Sequence, residues 1–170
     1  EPHYVGQPTM NHWLKPLFAG HAVETQCDIQ SIYGAPGKWY LASVDGVHGP
    51  FDWVLSSAPL TQTQALFADF NFDLTARYQA GFTLLCQMTF SPSWDRAVCQ
   101  DAVVAELILS GRRPGRHHPN TLVVHAQDQW ASEHIDSDLA GVEQTLRGAT
   151  EALLSATLDS AKLHRWRSAK

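Results

Sequence analysis

The His, Asp and Glu side chains of this sequence raise the possibility of a metal site, because such side chains bind divalent metals. The chain has nine His among 170 residues. The candidate ligands are His117, His118, His125, Glu133, His134 and Asp136. None of them has the spacing that places two imidazoles on one helix face, and paired His in a loop are more often exposed. Structural or surface roles are therefore favoured, and no metal is predicted.

A second chemical feature is the segment GRRPGRHH at 111–118, which concentrates three Arg in a Gly-Pro loop. A guanidinium can hold a phosphate or a carboxylate through two parallel hydrogen bonds. Exposed Arg is also commonplace on protein surfaces, so a solvated turn explains the same residues. Both interpretations, an anion-binding loop and a solvated turn, stay open from the sequence.

The motifs that mark self-contained catalytic sites are missing from this sequence. It contains no G-x-G-x-x-G, no G-x-x-x-x-G-K-[ST], no G-x-S-x-G and no H-E-x-x-H. An enzyme made only of these residues would therefore need an unusual site.

Composition predicts a soluble globular protein. The hydrophobic fraction is 44%, the charged fraction is 17% and the formal net charge is -5. That charge disfavours a nucleic-acid partner, since phosphate binding needs surplus Lys and Arg. No apolar run approaches the roughly 20 residues that cross a bilayer, so no membrane partner is expected. Cys27, Cys86 and Cys99 show no close pairing and no signal peptide precedes them, which favours a reducing cytoplasm.

The elements that would position these side chains begin with a short helix within 10–18. Strands are then predicted over 22–33, 38–45 and 51–58, because Gly- and Pro-rich turns separate these apolar stretches. A short helix is expected after Pro59. The first 60 residues thus predict a helix followed by a β-meander.

The rest of the chain predicts further strands and one long helix. Apolar runs at 78–90, 102–109 and 121–126 have the length of strands. From Ser137 onward apolar residues recur at intervals of three and four, with Asp136 or Ser137 as N-cap, which predicts an amphipathic helix of about six turns. Strands in the middle and a long helix near the end indicate an α+β fold.

Three stretches, taken in order, resemble the renalase family of flavin-dependent oxidoreductases, which is related to the monoamine oxidases. The first runs from YVGQPTMNHWLKPLFAG to GPFDWVLSSAPLTQTQALF. The second is SGRRPGR followed by NTLVVHAQDQWASEHID, and the third is HRWRSAK. HRWRSAK is similar to a family segment that lies just before the chain returns to the flavin, so we expect it to be interior to a longer enzyme.

The resemblance implies a two-lobed FAD enzyme of which this chain is the middle piece. Residues 1–59 would match the part of the flavin lobe that holds the meander, and residues 60–170 would match most of the substrate lobe, which has an antiparallel sheet. The glycine motif of the N-terminal βαβ unit and the C-terminal flavin-binding segment have no counterpart here. The fragment is therefore expected to be inactive alone.

The resemblance also implies six site residues. Ile29 matches a strand position whose backbone faces the adenine of FAD, and Ala58 and Pro59 match the turn beside the cofactor. The positions that match the segment near the flavin ring and the substrate are His164, Trp166 and Arg167. An indole can flank a planar ring and a guanidinium can hold anionic oxygens, although burial in a core would explain Trp166 equally well.

The sequence departs from the family pattern at Thr9, where the family has Gly, and at Glu106, where it commonly has Trp. The implied activity is oxidation of a reduced nicotinamide, a misplaced-hydride isomer of NAD(P)H, or of an amine, with oxygen as acceptor and hydrogen peroxide as product. FAD would carry the redox chemistry, so no catalytic acid or base is required in this stretch. The alternative is a non-enzymatic relative of the substrate lobe that binds a small anion or a protein partner through the GRRPGR loop.

Overall fold

The computed structural model describes residues 5–71, 73–116, 118 and 120–169. It divides into two compact units. Gly20–Arg77 form the small unit, and the other described residues form the large unit. Two antiparallel sheets and three α-helices confirm the α+β class within these residues.

The small unit is a three-stranded antiparallel meander with one helix. Its strands are β1 (Ile29–Ala35), β2 (Lys38–Ser43) and β3 (Val47–Phe51), in the order β1-β2-β3, and its helix is α1 (Leu60–Leu66). The β1–β2 turn is Pro36 followed by Gly37, and Gly37 has φ +80°, where L side chains rarely fit.

Aromatic side chains form most of the core of the small unit. Phe67 at the end of α1 is buried, and its ring meets Trp39 of β2 edge-on with centroids 5.9 Å apart. Phe70 approaches the same Trp39 with centroids 5.3 Å apart. Burial of these rings against the sheet holds α1 to the meander.

The large unit is a five-stranded antiparallel sheet with two helices on one face. Its strand order is β5-β6-β7-β4-β8. The elements are β4 (Gly81–Gln87), β5 (Arg96–Val98), β6 (Val104–Leu109), β7 (Thr121–Ala126), α2 (Asp128–His134), α3 (Leu139–Leu154) and β8 (Ser160–Trp166). Single 3-10 turns occur at Lys15–Phe18 and Ser110–Arg112. No described helix has the length and apolarity that would let it cross a bilayer.

Helix α3 follows the apolar periodicity of its sequence and has defined ends. The Asp138 carboxylate accepts a hydrogen bond of 3.0 Å from the Gly141 amide, which satisfies one unpaired donor of the first turn. Ser155 ends the helix with a left-handed backbone, φ +50°. Val142 and Leu146 are buried against the sheet. The helix spans 16 residues, shorter than the six turns that the sequence predicted.

The two faces of the large sheet differ in how deeply their side chains are buried. Side chains alternate along each strand, so that in β4 Phe82, Leu84 and Cys86 point into the core while Leu85 is half-exposed. The core on the helix side comprises Phe82, Leu84, Cys86, Met88, Val104, Leu107, Leu109, Leu122, Val124, Ala126, Ala131, Val142, Leu146 and Leu158. We call the opposite surface of this sheet the open face.

Several predicted elements differ from the observed ones. The helix expected over 10–18 is only the 3-10 turn Lys15–Phe18, and the third strand lies at Val47–Phe51 rather than 51–58. The segment GVHGP, predicted as a turn, pairs with β2, because pairing between Leu41 and His48 outweighs its local turn preference. β5, α2 and β8 were not predicted, whereas β7 matches its predicted range.

Candidate functional site

A row of polar side chains crosses the open face of the five-stranded sheet. The strand register places Glu106 of β6 opposite His125 of β7, His125 opposite Thr83 of β4, and Thr83 opposite His164 of β8. The β6–β7 register shifts between Val104 and Glu106. Such an irregularity changes the direction in which side chains point. Here it lies directly before Glu106, the first residue of the row.

Thr83 contacts two other side chains of this face. Its hydroxyl oxygen lies 3.2 Å from Nδ1 of His125 and accepts a hydrogen bond of 3.1 Å from Nε1 of Trp166. Thr83 is itself 9% exposed. Because Thr83 sits on a central strand, these contacts fix the Trp166 indole relative to the sheet rather than leaving it to rotate.

His164 and Trp166 lie side by side on β8. Their ring centroids are 4.0 Å apart, with an interplanar angle of 63°. Residues two apart on a strand share a face, so both rings are on the open face. Trp166 remains 48% exposed, which leaves much of its ring available to a ligand.

Part of the open face is a groove of about 650 Å³. Its lining includes Gly81, Thr83, Glu106, His125 and Trp166. The volume is within the range of small-molecule sites, roughly 300 to 1,000 Å³. A flat indole, a few polar groups and a glycine without a side chain make this groove suited to a planar ligand.

The carboxylate of Glu106 is paired. Nε of Arg96 on the neighbouring strand β5 contacts Oε1 of Glu106, and the Glu106 side chain is 20% exposed. Glu106 also borders a second hollow of about 620 Å³ that Arg112 and Arg113 line. Glu106 is therefore one half of an ion pair and not an isolated negative charge.

The residues expected near the flavin ring are only partly brought together. His164 and Trp166 share the open face, but Arg167 forms an ion pair of 2.8 Å with Asp136, in the connection between α2 and α3. Arg167 follows the last residue of β8. Arg167 thus has a partner within the fold, and the groove lining contains Trp166 without it.

The residues expected to contact FAD all lie in the small unit. Ile29 is the first residue of β1 and pairs with Ser43. The carbonyl of Ala58 accepts a hydrogen bond of 3.1 Å from the Thr63 hydroxyl, and Pro59 precedes α1 as its N-cap. The described residues contain no glycine-rich turn between a strand and a helix, the arrangement that commonly holds a dinucleotide diphosphate.

The sequence did not predict that Thr83 and His125 would pair on the open face. The available signal was a polar residue within each apolar strand, GFTLLCQ and TLVVHA. A single polar residue in such a strand marks a position on the other face, but pairing of the two strands needs the tertiary structure.

Two arginines of the Arg-rich loop donate hydrogen bonds to other parts of the chain. The guanidinium of Arg112 donates to the Trp94 carbonyl at 3.3 Å, to Asp95 at 3.3 Å and to the Ser91 hydroxyl at 2.8 Å, and it also contacts the Pro92 carbonyl. Nη2 of Arg116 lies 3.4 Å from the Gly6 carbonyl. The hydrogen bonds of Arg112 therefore hold the loop in place. They use N–H groups that would otherwise be able to bind an external anion.

The His residues considered as metal ligands are engaged separately. His134 has Nδ1 2.8 Å from the Trp130 carbonyl and its ring stacks on Trp130 at 4.5 Å, while His125 contacts Thr83. His117 lies outside the described residues. A different group of three potential ligands, Glu24, Cys27 and His48, occurs in the small unit.

Comparison with known proteins bears on this arrangement. The sequence matches no protein-family profile. Among solved structures, the fold is similar to a "Putative protoporphyrinogen oxidase" from Exiguobacterium sp. 255-15, with TM-score 0.64, 14% identity and 92% of this chain covered. It is also similar to the CLA-producing fatty acid isomerase from P. acnes, with TM-score 0.62, 12% identity and 88% covered.

This chain shares the fold of part of each of these two proteins. It spans 38% of the first structure and 36% of the second. At these identities the likeness establishes the fold and leaves substrate and cofactor open.

Proposed function

We propose that this chain is the middle segment of an FAD-dependent oxidoreductase of renalase type. The substrate would be a reduced nicotinamide, a misplaced-hydride isomer of NAD(P)H, with an amine as the second choice, and oxygen would be the acceptor. The observation that carries the proposal is the groove on the open face, where Trp166 presents an indole that Thr83 orients. The likeness of the fold to flavoprotein structures is consistent with it.

The groove residues would bind and orient a flat heteroaromatic ring. The half-exposed Trp166 offers a surface for ring contact, and offset or edge contacts between aromatic rings contribute about 0.5 to 1.5 kcal/mol. His125, in the groove lining, supplies a polar ring beside it, and His164 lies next to the indole on β8, outside that lining. The polar row would fix the orientation of a carboxamide-bearing ring while the indole supplies its contact area.

FAD, when bound, would supply hydride acceptance and reoxidation by oxygen. In this proposal Ile29, Ala58 and Pro59 contact the cofactor, and the diphosphate is held by residues beyond this chain. His164 and Trp166 would orient the substrate, whereas Arg167 would support the local structure through Asp136. No side chain is required to transfer a proton when a hydride leaves a reduced nicotinamide.

The pairing of Glu106 favours a nicotinamide over an amine. An isolated carboxylate in the groove would attract a cationic amine, but Arg96 already compensates the charge of Glu106. A neutral dihydropyridine ring needs no such counter-charge. Replacement of Arg96 by Met should therefore shift the preference toward cationic amines.

The decisive experiment uses the protein purified from its source organism. A species about twice this length, the size expected for two domains, with flavin absorption bands is expected. Anaerobic mixing with misplaced-hydride isomers of NADH should bleach those bands, and admission of oxygen should restore them with release of hydrogen peroxide. Trp166→Ala should lower kcat/KM about two- to tenfold, since it removes a ring contact of about 0.5 to 1.5 kcal/mol. Lys162→Ala, on the same face of β8, is the matched control and should leave kcat/KM unchanged.

The competing function is non-enzymatic binding of a small anion or a protein by a free-standing substrate lobe. A colourless protein of this length that is unreactive toward reduced nicotinamides would favour it. Phosphate titration then tests the loop, because Arg116→Ala should weaken binding if the GRRPGR segment holds the anion. The internal engagement of Arg112 argues against this function.

A further inference from the structure

Three side chains with different metal-binding groups converge in the small unit. Glu24 and Cys27 precede β1, and His48 lies in β3. One ligand atom of each lies within 4.8 Å of the others. A carboxylate, a thiol and an imidazole are the three side-chain types that bind Zn²⁺ in proteins.

The backbone of the meander produces this convergence. His48 stands opposite Leu41 in the β2–β3 pairing, which fixes its position at the end of the hairpin. Gln26, between the two other residues, has φ +61°, a left-handed conformation that turns the chain sharply before β1. A turn at Gln26 brings Glu24 and Cys27 to the same side, facing His48.

The separation of the sulfur and nitrogen atoms suits a tetrahedral metal. Sγ of Cys27 lies 3.6 Å from Nε2 of His48. Zn–S and Zn–N bonds of about 2.3 and 2.05 Å at a tetrahedral angle place these atoms about 3.55 Å apart. A Zn²⁺ ion could therefore bind both atoms without displacing the β3 backbone.

Glu24 completes the set from the other side of the imidazole. Its Oε2 lies 3.3 Å from Nδ1 of His48. The Glu24 side chain is 67% exposed and the His48 side chain 30% exposed, so the carboxylate can rotate toward Nε2 without opening a packed core. Ser43 Oγ, 3.2 Å from Nε2, is a polar neighbour for a metal-bound water.

We propose that Glu24, Cys27 and His48 form a Zn²⁺ site with three protein ligands and water in the fourth position. The site requires only inward rotation of Glu24, since the sulfur and Nε2 already have the required separation. This site is independent of the proposed flavin chemistry. It also differs from the His sets that the sequence suggested, because Cys27 and His48 are neighbours only after the hairpin forms.

The experiment uses the full chain without a histidine tag, under reducing conditions. Zn²⁺ affinity is measured by competition with a chromophoric chelator, and Co²⁺ is added separately as a spectroscopic probe. One equivalent of Zn²⁺ is expected to bind, and Co²⁺ should give intense tetrahedral d–d bands together with a thiolate-to-metal charge-transfer band. Octahedral Co²⁺ spectra, or Zn²⁺ binding no tighter than to the unfolded chain, would overturn the proposal.

Variants identify the ligands. Cys27→Ser should abolish the charge-transfer band, and His48→Gln and Glu24→Gln should each weaken Zn²⁺ binding roughly tenfold or more. Cys99→Ser and His118→Gln are matched controls and should bind as the unchanged chain does. Circular dichroism of each variant establishes that it is folded. A folded Cys27→Ser variant with unchanged Zn²⁺ affinity, or an equal loss in Cys99→Ser, would contradict the assignment.

Discussion

Trp166 donates its indole N–H to the hydroxyl of Thr83, at 3.1 Å, across a separation of 83 residues. The bond joins the edge strand β8 to the neighbouring interior strand β4, and the same hydroxyl lies 3.2 Å from His125 of β7. One buried hydroxyl thus connects three strands on the open face. The orientation of the exposed indole is therefore a property of the sheet and not of the tail segment HRWRSAK alone.

Thr83→Val should release Trp166 while nearly preserving the shape of the side chain. The free energy of unfolding is expected to fall by about 1 to 2 kcal/mol, since the hydroxyl loses its contacts with both Trp166 and His125, although the half-exposed indole can bond to water instead. The indole N–H resonance of Trp166 should move toward the position of a solvent-exposed Trp. NMR of the indole region together with urea unfolding measures both effects.

Thr121→Val is the matched control for this change. Thr121 also projects from a strand of the large sheet, and its hydroxyl donates to the backbone carbonyl of His118. The Trp166 resonance should stay in place in this variant. An equal shift in both variants would show that the hydroxyl of Thr83 does not orient the indole.

Leu146→Ala should strongly destabilise the large unit. Leu146 is fully buried between α3 and the sheet, so truncation removes transfer energy and leaves a cavity, with an expected cost of about 2 to 5 kcal/mol. Leu153, on the same helix, is 45% exposed, and Leu153→Ala should cost less than about 1 kcal/mol. Equal losses in denaturant unfolding would contradict the observed orientation of α3.

Acid should destabilise the large unit partly through Glu151. A hydrogen bond from the Leu158 amide, followed by one from Arg147, lowers the pKa of the Glu151 carboxyl below its ordinary 4.5. A lowered folded-state pKa means stabilisation that is present above pH 4.5 and is lost as pH falls through the folded-state value. Glu151→Gln should therefore reduce the loss of stability between about pH 6 and pH 3.

Glu133→Gln provides the comparison for the acid experiment. It removes a charge from an exposed position on α2, where the carboxylate accepts one bond from Gln129. Urea unfolding at several pH values should give this variant the same acid slope as the unchanged chain. If Glu151→Gln also keeps the full acid slope, the hydrogen bonds of the Glu151 carboxylate do not contribute to the loss of stability in acid.

Cys86 should resist alkylation in the folded chain. It is buried on β4, and burial raises the pKa of its thiol from 9.0 to about 12. Cys27 and Cys99 are partly exposed and should be modified first by iodoacetamide, as mass spectrometry of peptides would report. Because the raised pKa keeps the folded thiol protonated, its contribution to stability should decline as pH rises above 9.0. Native-state labelling of Cys86 as fast as Cys27 would contradict its burial.

The sequence predicted the elements whose signal is local. The strand at Thr121–Ala126 is an apolar run of strand length, and the apolar spacing of α3 indicated a helix from Ser137 onward. β8 was missed although Ala161 and Leu163 alternate with Lys162 and His164. Half-buried edge strands carry weak local signals, because their pairing partner supplies most of their stabilisation.

For this protein the sequence by itself determined the α+β class, the amphipathic helix and the kinds of side chain available. Only the tertiary structure decided which of those side chains meet. Thr83 and Trp166 become neighbours through the β4–β8 register, and Cys27 meets His48 through the meander. Local propensity acts within a few residues along the chain, whereas antiparallel pairing joins residues that are far apart in sequence, and the open face consists of such pairs.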